Sequence, residues 1–384
     1  MITQISPSCQ CCGCLACKAI CPKQAIEVKY DELGFCHPFV TNYCIECGLC
    51  QKSCPINETV NNYTPKYVFA AFNKNKNSSS TSGGIAFSIY KTFINNNLNA
   101  ICYGVIWDKN QKRFVFKFAT QEEEIIIKNF AGSKYIQADI GDSYINIRNN
   151  LIQQKQVVFI GTPCQVAGLK TFLKKKYLNL LTVDIVCHGT PSQKMFFDSL
   201  NLINDFPEKI WFRKGTKYEI GVIFKDGKSN IIPSIDSLFY EGFHSGKIVR
   251  ESCHTCPYTN LRRVGDITLG DFWGLDKNSS ISKKAFIAQS PISLVMLNSQ
   301  KGIAFFDSLK SHIEYEKRTI EEAIAVNSQL SHPIKDTFNS ISFRKLYKEI
   351  PYADAIIKSR SLKQQFKHFP GIWYIVKILR GLIK

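Results

Sequence analysis

CCGCLACKAICP at residues 11–22 and CIECGLCQKSCP at residues 44–55 spell one pattern twice, CxxCxxCxxxCP. The first copy is Cys11, Cys14, Cys17 and Cys21 before Pro22; the second is Cys44, Cys47, Cys50 and Cys54 before Pro55. Three closely spaced thiolates wrap one corner of a 4Fe–4S cube, and the fourth cysteine of each run reaches across to the other cluster. By that rule Cys11, Cys14, Cys17 and Cys54 hold one cluster, and Cys44, Cys47, Cys50 and Cys21 hold a second. Zinc knuckles are the competing reading, because CxxC pairs also bind zinc. The repetition of three thiolates plus Cys-Pro after 33 residues favours clusters. Only a run starting at Cys11 completes the motif, so Cys9, Cys12 and Cys36 are read as bystanders.

The double motif resembles the bacterial two-cluster ferredoxins and predicts such a module over residues 1–58. The polar segment 56–66 reads as a linker. At 384 residues the chain has length for one or two further domains. Its 16 cysteines do not read as a secreted disulfide framework, because MITQISPSCQ at residues 1–10 lacks both the basic start and the apolar stretch of a leader. Oxygen-sensitive clusters and free thiols point instead to a reducing cytoplasm. No apolar run approaches the roughly 18–20 residues that span a bilayer.

The formal charge is +18. Each oxidised cluster with four thiolates contributes about −2, so three would leave roughly +12. Acidic partners, a phosphorylated cofactor or an anionic membrane suit that balance. Nucleic acid does not: there is no recognition helix, RNP-like strand or basic cluster interleaved with aromatics.

Beyond the linker, Tyr67 to Phe72 reads as a strand, Asn73 to Ser82 as a polar stretch, Ile85 to Phe93 as a helix and Ala100 to Trp107 as a further apolar run. This alternation predicts an α/β body with a mixed sheet. Residues 156–189 form its clearest unit. Val157 to Ile160 is a short apolar strand, GTPC at 161–164 breaks it, Gln165 to Lys176 is helical, and Leu178 to Val186 is the next strand. A βαβ crossover places such strands parallel. Cys164 and Cys187 then lie past the carboxyl ends of neighbouring strands, where open α/β sheets bind ligands. Lys209 to Ile232 reads as antiparallel with a turn at Asp226-Gly227, Ile267 to Leu269 as a strand opening into GDFWG, and the chain from Ile281 as mainly helical.

Cys102 sits in an apolar run and reads as core. That leaves Cys164, Cys187, Cys253 and Cys256, the count for a third cubane, against a reading of two buried thiols and a redox or zinc CxxC. Spacing alone leaves both open. The segments SGG (82–84), GSKYIQAD (132–139), GTPCQ (161–165), VCHGTPS (186–192) and SCHTCPYTNLRRVGDITLGDFWG (252–274) resemble the coenzyme F-420 hydrogenase/dehydrogenase beta-subunit family. A fused N-terminal ferredoxin recurs in that family, including in proteins from bacterial surface-polysaccharide loci.

The resemblance implies FAD and a 4Fe–4S cluster held by Cys164, Cys187, Cys253 and Cys256. It assigns Ser82, Gly83, Gly84, Gly132, Ser133, Lys134 and Tyr135 to the flavin pocket. Adjacent glycines let backbone N–H groups approach a phosphate or a ring, and a lysine there suits pyrophosphate or the flavin's pyrimidine end. The competing reading of 82–84 is the tip of a serine-rich loop. His188 reads as a proton donor or a packing residue, Arg262, Arg263 and Asp266 as an anionic-substrate site or a solvated charged face, and Asp271 and Trp273 as a flavin border or a turn. No catalytic acid or base is identified, and hydrolase and kinase motifs are missing.

The expected organisation is therefore a ferredoxin-like module (1–58), a flavin-binding region (67–150), a region with the third Fe–S site (151–335) and a helical basic tail (336–384). The expected function is an iron–sulfur flavoprotein oxidoreductase exchanging electrons between three 4Fe–4S clusters, FAD and a hydride-carrying substrate or coenzyme. Its partner would be an external donor or acceptor, a ferredoxin or a reduced coenzyme. The alternatives are a non-catalytic electron-transfer subunit and a scaffold among glycan-biosynthesis enzymes. KQQFKHFPGIWYIVKILRGLIK at 363–384 has five Lys or Arg and no acid. A helix after Pro370-Gly371 would either dock on the body or lie on an anionic membrane at its inner face.

Overall fold

Six residues, Gln156–Gly161, are apolar towards both sides of the chain, and Val157, Val158 and Phe159 are each fully buried. Such a strand needs cover on both faces. The computed structural model supplies it, and describes residues 4–75, 81–202, 206–361 and 365. Thirteen strands are found among these residues. In chain order they are β1 (Ile26–Tyr30), β2 (Cys36–Val40), β3 (Tyr67–Asn73), β4 (Ala100–Asp108), β5 (Arg113–Ala119), β6 (Gln156–Gly161), β7 (Leu180–Ile185), β8 (Lys209–Lys214), β9 (Lys217–Ile223), β10 (Ser229–Pro233), β11 (Ile267–Asp271), β12 (Ser293–Leu297) and β13 (Ile313–Arg318).

Eight of them form one mixed sheet in the order β13-β3-β12-β11-β7-β6-β4-β5. β4, β6, β7 and β11 run parallel to one another, and β5 and β12 run against them. Val157 and Phe159 face a core with Tyr144, Ile147 and Val166 from helices Ser143–Ile152 and Pro163–Leu173. Val158 faces the opposite core with Ile89, Phe93 and Phe306 from helices Ile85–Asn95 and Gln300–Leu309. β1 and β2 are a separate hairpin, and β8, β9 and β10 a three-stranded sheet.

The expected βαβ unit is present with parallel β6 and β7. Its helix starts two residues early and stops at Leu173. Thr162 is the N-cap, its N–H taken by the Gln165 side chain at 3.0 Å, and Pro163 occupies the first turn. At the far end Lys174 turns left-handed, with φ +59°.

Three expectations are amended. The described chain from Ile281 is mainly helical but also supplies two strands: β12 and β13 enter the main sheet, and the run Ser293–Leu297 is buried throughout because it lies between β3 and β11. The 209–232 region holds a second turn, at Gly215, making three strands of an expected hairpin. Arg263 and Asp266 are neither a ligand site nor a solvated face; both are buried. Of the basic tail, helices Phe338–Leu346 and Tyr352–Lys358 are described, whereas the helix expected after Pro370 lies outside the described residues. Among the described residues no helix is long and apolar enough to cross a membrane.

Arg263 and Asp184 organise the sheet's carboxyl edge. Asp184 is fully buried at the end of β7. Its Oδ1 accepts from Arg263 Nη2 at 3.0 Å and from Thr268 Oγ1, and its Oδ2 accepts from the N–H groups of Val264 (3.0 Å) and Gly265 (2.9 Å). Arg263 spends its other donors on the carbonyls of Tyr258, Asn260 and Ile185 and on the Thr268 hydroxyl. Removing one partner of such a buried pair costs about 3–5 kcal/mol, because the other charge is left uncompensated. Asp184→Ala should therefore lower the urea midpoint sharply, and the double variant with Arg263→Met should recover part of the loss. An unchanged midpoint in Asp184→Ala would show that the pair does not hold this edge.

A chain of cysteine-lined cavities

The N-terminal module has a short helix, Ala16–Ile20, followed by the β1–β2 hairpin. Cys17, Cys50 and Cys54 share a small apolar cluster with Ile5 and Ile26. Cys17 lies within electrostatic reach of Cys11 and Cys54, and Cys14 is near Cys17 and Cys11. Cys21, Cys44, Cys47 and Cys50 together line one cavity. The fourth cysteine of each run is thus found beside the other run's triplet. Cys47 is exposed on the outer side, next to exposed Tyr43 and Ile45.

The remaining set also converges. Cys164, Cys187, Cys253 and Cys256, from three separate segments, line one cavity together with Arg250. Cys164 sits in the first turn of helix Pro163–Leu173, its Sγ 3.2 Å from Thr162 Oγ1. Cys187 follows β7, and Cys253 and Cys256 stand in and just after the 3₁₀ turn Glu251–Thr255, whose N-cap is Arg250. Burial pushes the Cys253 thiol up to about 11 and the Cys256 thiol up to about 12. Among the described residues no three His, Cys, Asp or Glu side chains converge on a single-ion position; the thiols ring cavities. Cys102 is core, fully buried in β4.

The same cavity has a fifth thiol, Cys12. Read from spacing as a bystander, it lines the third cavity beside Cys164 and lies within electrostatic reach of Cys14 and Cys11, so it stands between the first N-terminal set and the third set. Its place outside the CxxC rhythm gave no sign of this. The close approach depends on Gly168, where a Cβ would stand 2.8 Å from Cys14 Sγ. It is secured by Arg250, which donates to the carbonyls of Cys11 and Cys36 (the latter at 2.8 Å) and to Gln137 Oε1 at 3.2 Å. Tyr258 OH donates to the Pro55 carbonyl and Thr171 Oγ1 to that of Ser53.

The residues assigned to the flavin come together in part. The 81–84 turn meets the 132–135 turn through Thr81, whose Oγ1 accepts from Ser133 N–H at 2.8 Å. Ser82 Oγ pairs with Ser293 Oγ at 3.0 Å. Gly83 is packed so that a Cβ would meet the Ala71 carbonyl at 2.5 Å, and Gly84 turns left-handed (φ +77°) as the N-cap of helix Ile85–Asn95. Lys134 has another partner set than the pyrophosphate or ring edge expected of it. Its Nζ donates to the carbonyls of Asn129, Phe130, Ala131 and Gly132, closing helix Glu124–Phe130. Burial lowers its pKa to about 7, while the carbonyls at the negative end of the helix dipole favour the charged form. Tyr135 points to a different neighbourhood, receiving Arg213 Nη1 on its hydroxyl at 3.3 Å and stacking on Tyr218. His188 is exposed beside Cys187, with its pKa lowered by desolvation.

Comparison with known proteins supplies an independent view. Residues 154–323 match the family described as the C terminus of the coenzyme F420 hydrogenase/dehydrogenase beta subunit. The chain is 23% identical over 305 residues to the F subunit of the F(420)H(2) dehydrogenase of Methanosarcina mazei, covering 74% of this chain and 82% of that protein. A chain of the xenon-derivatised F420-reducing [NiFe] hydrogenase complex from Methanosarcina barkeri is 17% identical, with a TM-score of 0.44, over 77% of this chain and 91% of its own. The segment that supplies Cys164, Cys187, Cys253 and Cys256 thus lies within the stretch, residues 154–323, that is similar to the C-terminal region of the coenzyme F420 hydrogenase/dehydrogenase beta-subunit family.

Proposed function

We propose that the chain is an iron–sulfur flavoprotein oxidoreductase. Two 4Fe–4S clusters are held by Cys11, Cys14, Cys17 and Cys54 and by Cys44, Cys47, Cys50 and Cys21, and a third by Cys164, Cys187, Cys253 and Cys256. FAD lies against Ser82, Gly83, Gly84, Gly132, Ser133 and Tyr135. The observation that carries this reading is the meeting of four cysteines from three segments around one cavity, which Cys12 of the N-terminal segment also lines. When bound, a flavin accepts a hydride as two electrons and releases them singly, which suits it to stand between a hydride carrier and one-electron clusters.

The residues fit these groups. Each proposed cluster set has four thiols, the number a cubane takes. At the flavin end, no described side chain caps helix Ile85–Asn95, so its first N–H groups are open to a phosphate. Lys134 belongs to the fold of this site, since its ammonium closes a helix. The exposed Cys47, Tyr43 and Ile45 mark the outer set as the exchange point for an external donor or acceptor, a ferredoxin or a reduced coenzyme. A second reading, an electron-transfer component that serves a catalytic partner, draws on the Methanosarcina mazei relative, which is named as one subunit of a dehydrogenase.

Anaerobically reconstituted protein should hold about twelve iron and twelve sulfide per chain, and Cys253→Ser with Cys256→Ser should remove about four of each. Iron unchanged in that double variant would take the pair out of the ligand set.

Denaturing the cluster-loaded chain should release non-covalent FAD at about one per chain. A colourless supernatant would end the flavoprotein reading. Turnover of a hydride carrier by the chain alone separates the enzyme from the electron-transfer component.

A further inference from the structure

Arg213 in β8 is one of the largest fully buried side chains of the protein. Its Nη1 is bound to Asp271 Oδ2 at 2.7 Å and to the Tyr135 hydroxyl at 3.3 Å. Its Nε and Nη2 are buried and have no hydrogen-bond partner. Unmet N–H donors on two nitrogens of a buried guanidinium are expensive, since a buried donor without a partner forfeits its solvation, all the more when it is charged. They form one edge of the planar fork that binds carbonyls, carboxylates and phosphates in pairs.

The surroundings are built for a flat ring. The guanidinium carbon lies 4.7 Å from the Tyr218 ring and 5.4 Å from the Trp273 ring. Trp273, His188 and His244 are exposed whereas Arg213 is buried, and the His244 ring lies 5.5 Å from that of Tyr218. The position in the sheet is equally specific. β7 and β11 pair as far as Ile185↔Leu269; two residues beyond, the chains carry Cys187 and Asp271. The partners of Arg213 therefore reach both places: Asp271 lies level with Cys187 at the sheet edge, and Tyr135 belongs to the 132–135 turn.

We propose that Arg213, set by Asp271 and flanked by Tyr218 and Trp273, binds the electron-rich carbonyl–nitrogen edge of a planar heteroaromatic redox ring. That ring belongs either to the flavin or to the hydride-carrying coenzyme that reacts with it. A positive charge against this edge favours the form in which the ring has gained electrons. The inference rests on the flavoprotein reading above and names the side chain that orients its ring.

The test uses the full, cluster-loaded chain and two probes, FAD and coenzyme F420, each in equilibrium dialysis. Arg213→Gln should weaken one of them at least tenfold, and Arg213→Lys, which keeps the charge but loses the fork, should fall between. Iron content and urea midpoint report whether each variant is folded. If Arg213→Gln does not fold, Arg213→Lys and Tyr218→Leu decide the matter by the same affinities. Loss of FAD affinity assigns the ring to the flavin; loss of F420 affinity with FAD unchanged assigns it to the substrate. Folded variants that bind both probes as the wild type does would overturn the proposal and leave the flavoprotein reading intact. A wild-type chain without FAD ends that reading, and the F420 comparison then decides this one alone. Uptake of neither ring overturns both.

Discussion

The carboxylate of Asp184 is the fixed point of the carboxyl edge. Its four accepted hydrogen bonds tie the last turn of β7 to the 263–268 segment and to the first residues of β11. Cys187 is three residues from it in one direction, and Cys256 is seven residues before Arg263 in the other. Three segments far apart in sequence must deliver thiols to one cavity, and a buried ion pair with every donor occupied specifies their relative position more narrowly than apolar packing does. Asp266 repeats the device one step away, accepting from Thr182 N–H and Oγ1 and from Ser299 Oγ. Chemistry at this edge is positioned by charge buried beneath it.

The N-terminal module is joined to that edge by direct contacts. Helix Pro163–Leu173 presents Gly168 to Cys14, and Tyr258, which follows the CxxC pair, reaches Pro55. The residues that line the third cavity thus also hold the ferredoxin-like module in place. Through Cys12, the inner set of the module and the third set share a wall, while the set around Cys21 and Cys47 faces outward. This order gives the proposed electron path one external end and one end beside the buried Arg213.

Much of this was legible in the chain because it rests on local patterns. The CxxCxxCxxxCP runs, the βαβ unit at 156–189 and the placement of Cys164 and Cys187 past strand ends all follow from spacing and periodicity. What was not legible depends on partners distant in sequence. Ser293–Leu297 reads as a short apolar run that suits helix or strand, and only insertion between β3 and β11 decides it. Arg263 and Asp266 look like surface charges until Asp184 and Thr182 are brought against them. Cys12 lies outside the motif rhythm, and Lys134 looks like a phosphate ligand until the carbonyls of its own preceding turn claim it. Arg213 carries no motif at all. A basic residue in an amphipathic strand gives no sequence signal for a buried guanidinium.

Three arginines are buried around these sites, and their partners differ. Arg263 faces Asp184 and Arg213 faces Asp271. Arg250 donates to two carbonyls, a glutamine and His37, and the carboxylate of Asp31 stands one step removed behind His37. The groups arrayed around its charge include Cys11, Cys12 and Cys253. Neutral thiols leave such a cation poorly compensated, whereas thiolates ligating iron would supply the missing negative charge from both sides of the junction. If the proposed clusters bind there, a buried cation placed between the two thiol sets would couple their binding to the docking of the N-terminal segment, in the sense that metal binding energy becomes folding energy. On that view the basic excess of the sequence is not spread evenly over a surface. Part of it is spent inside, where the first N-terminal thiol set approaches the third.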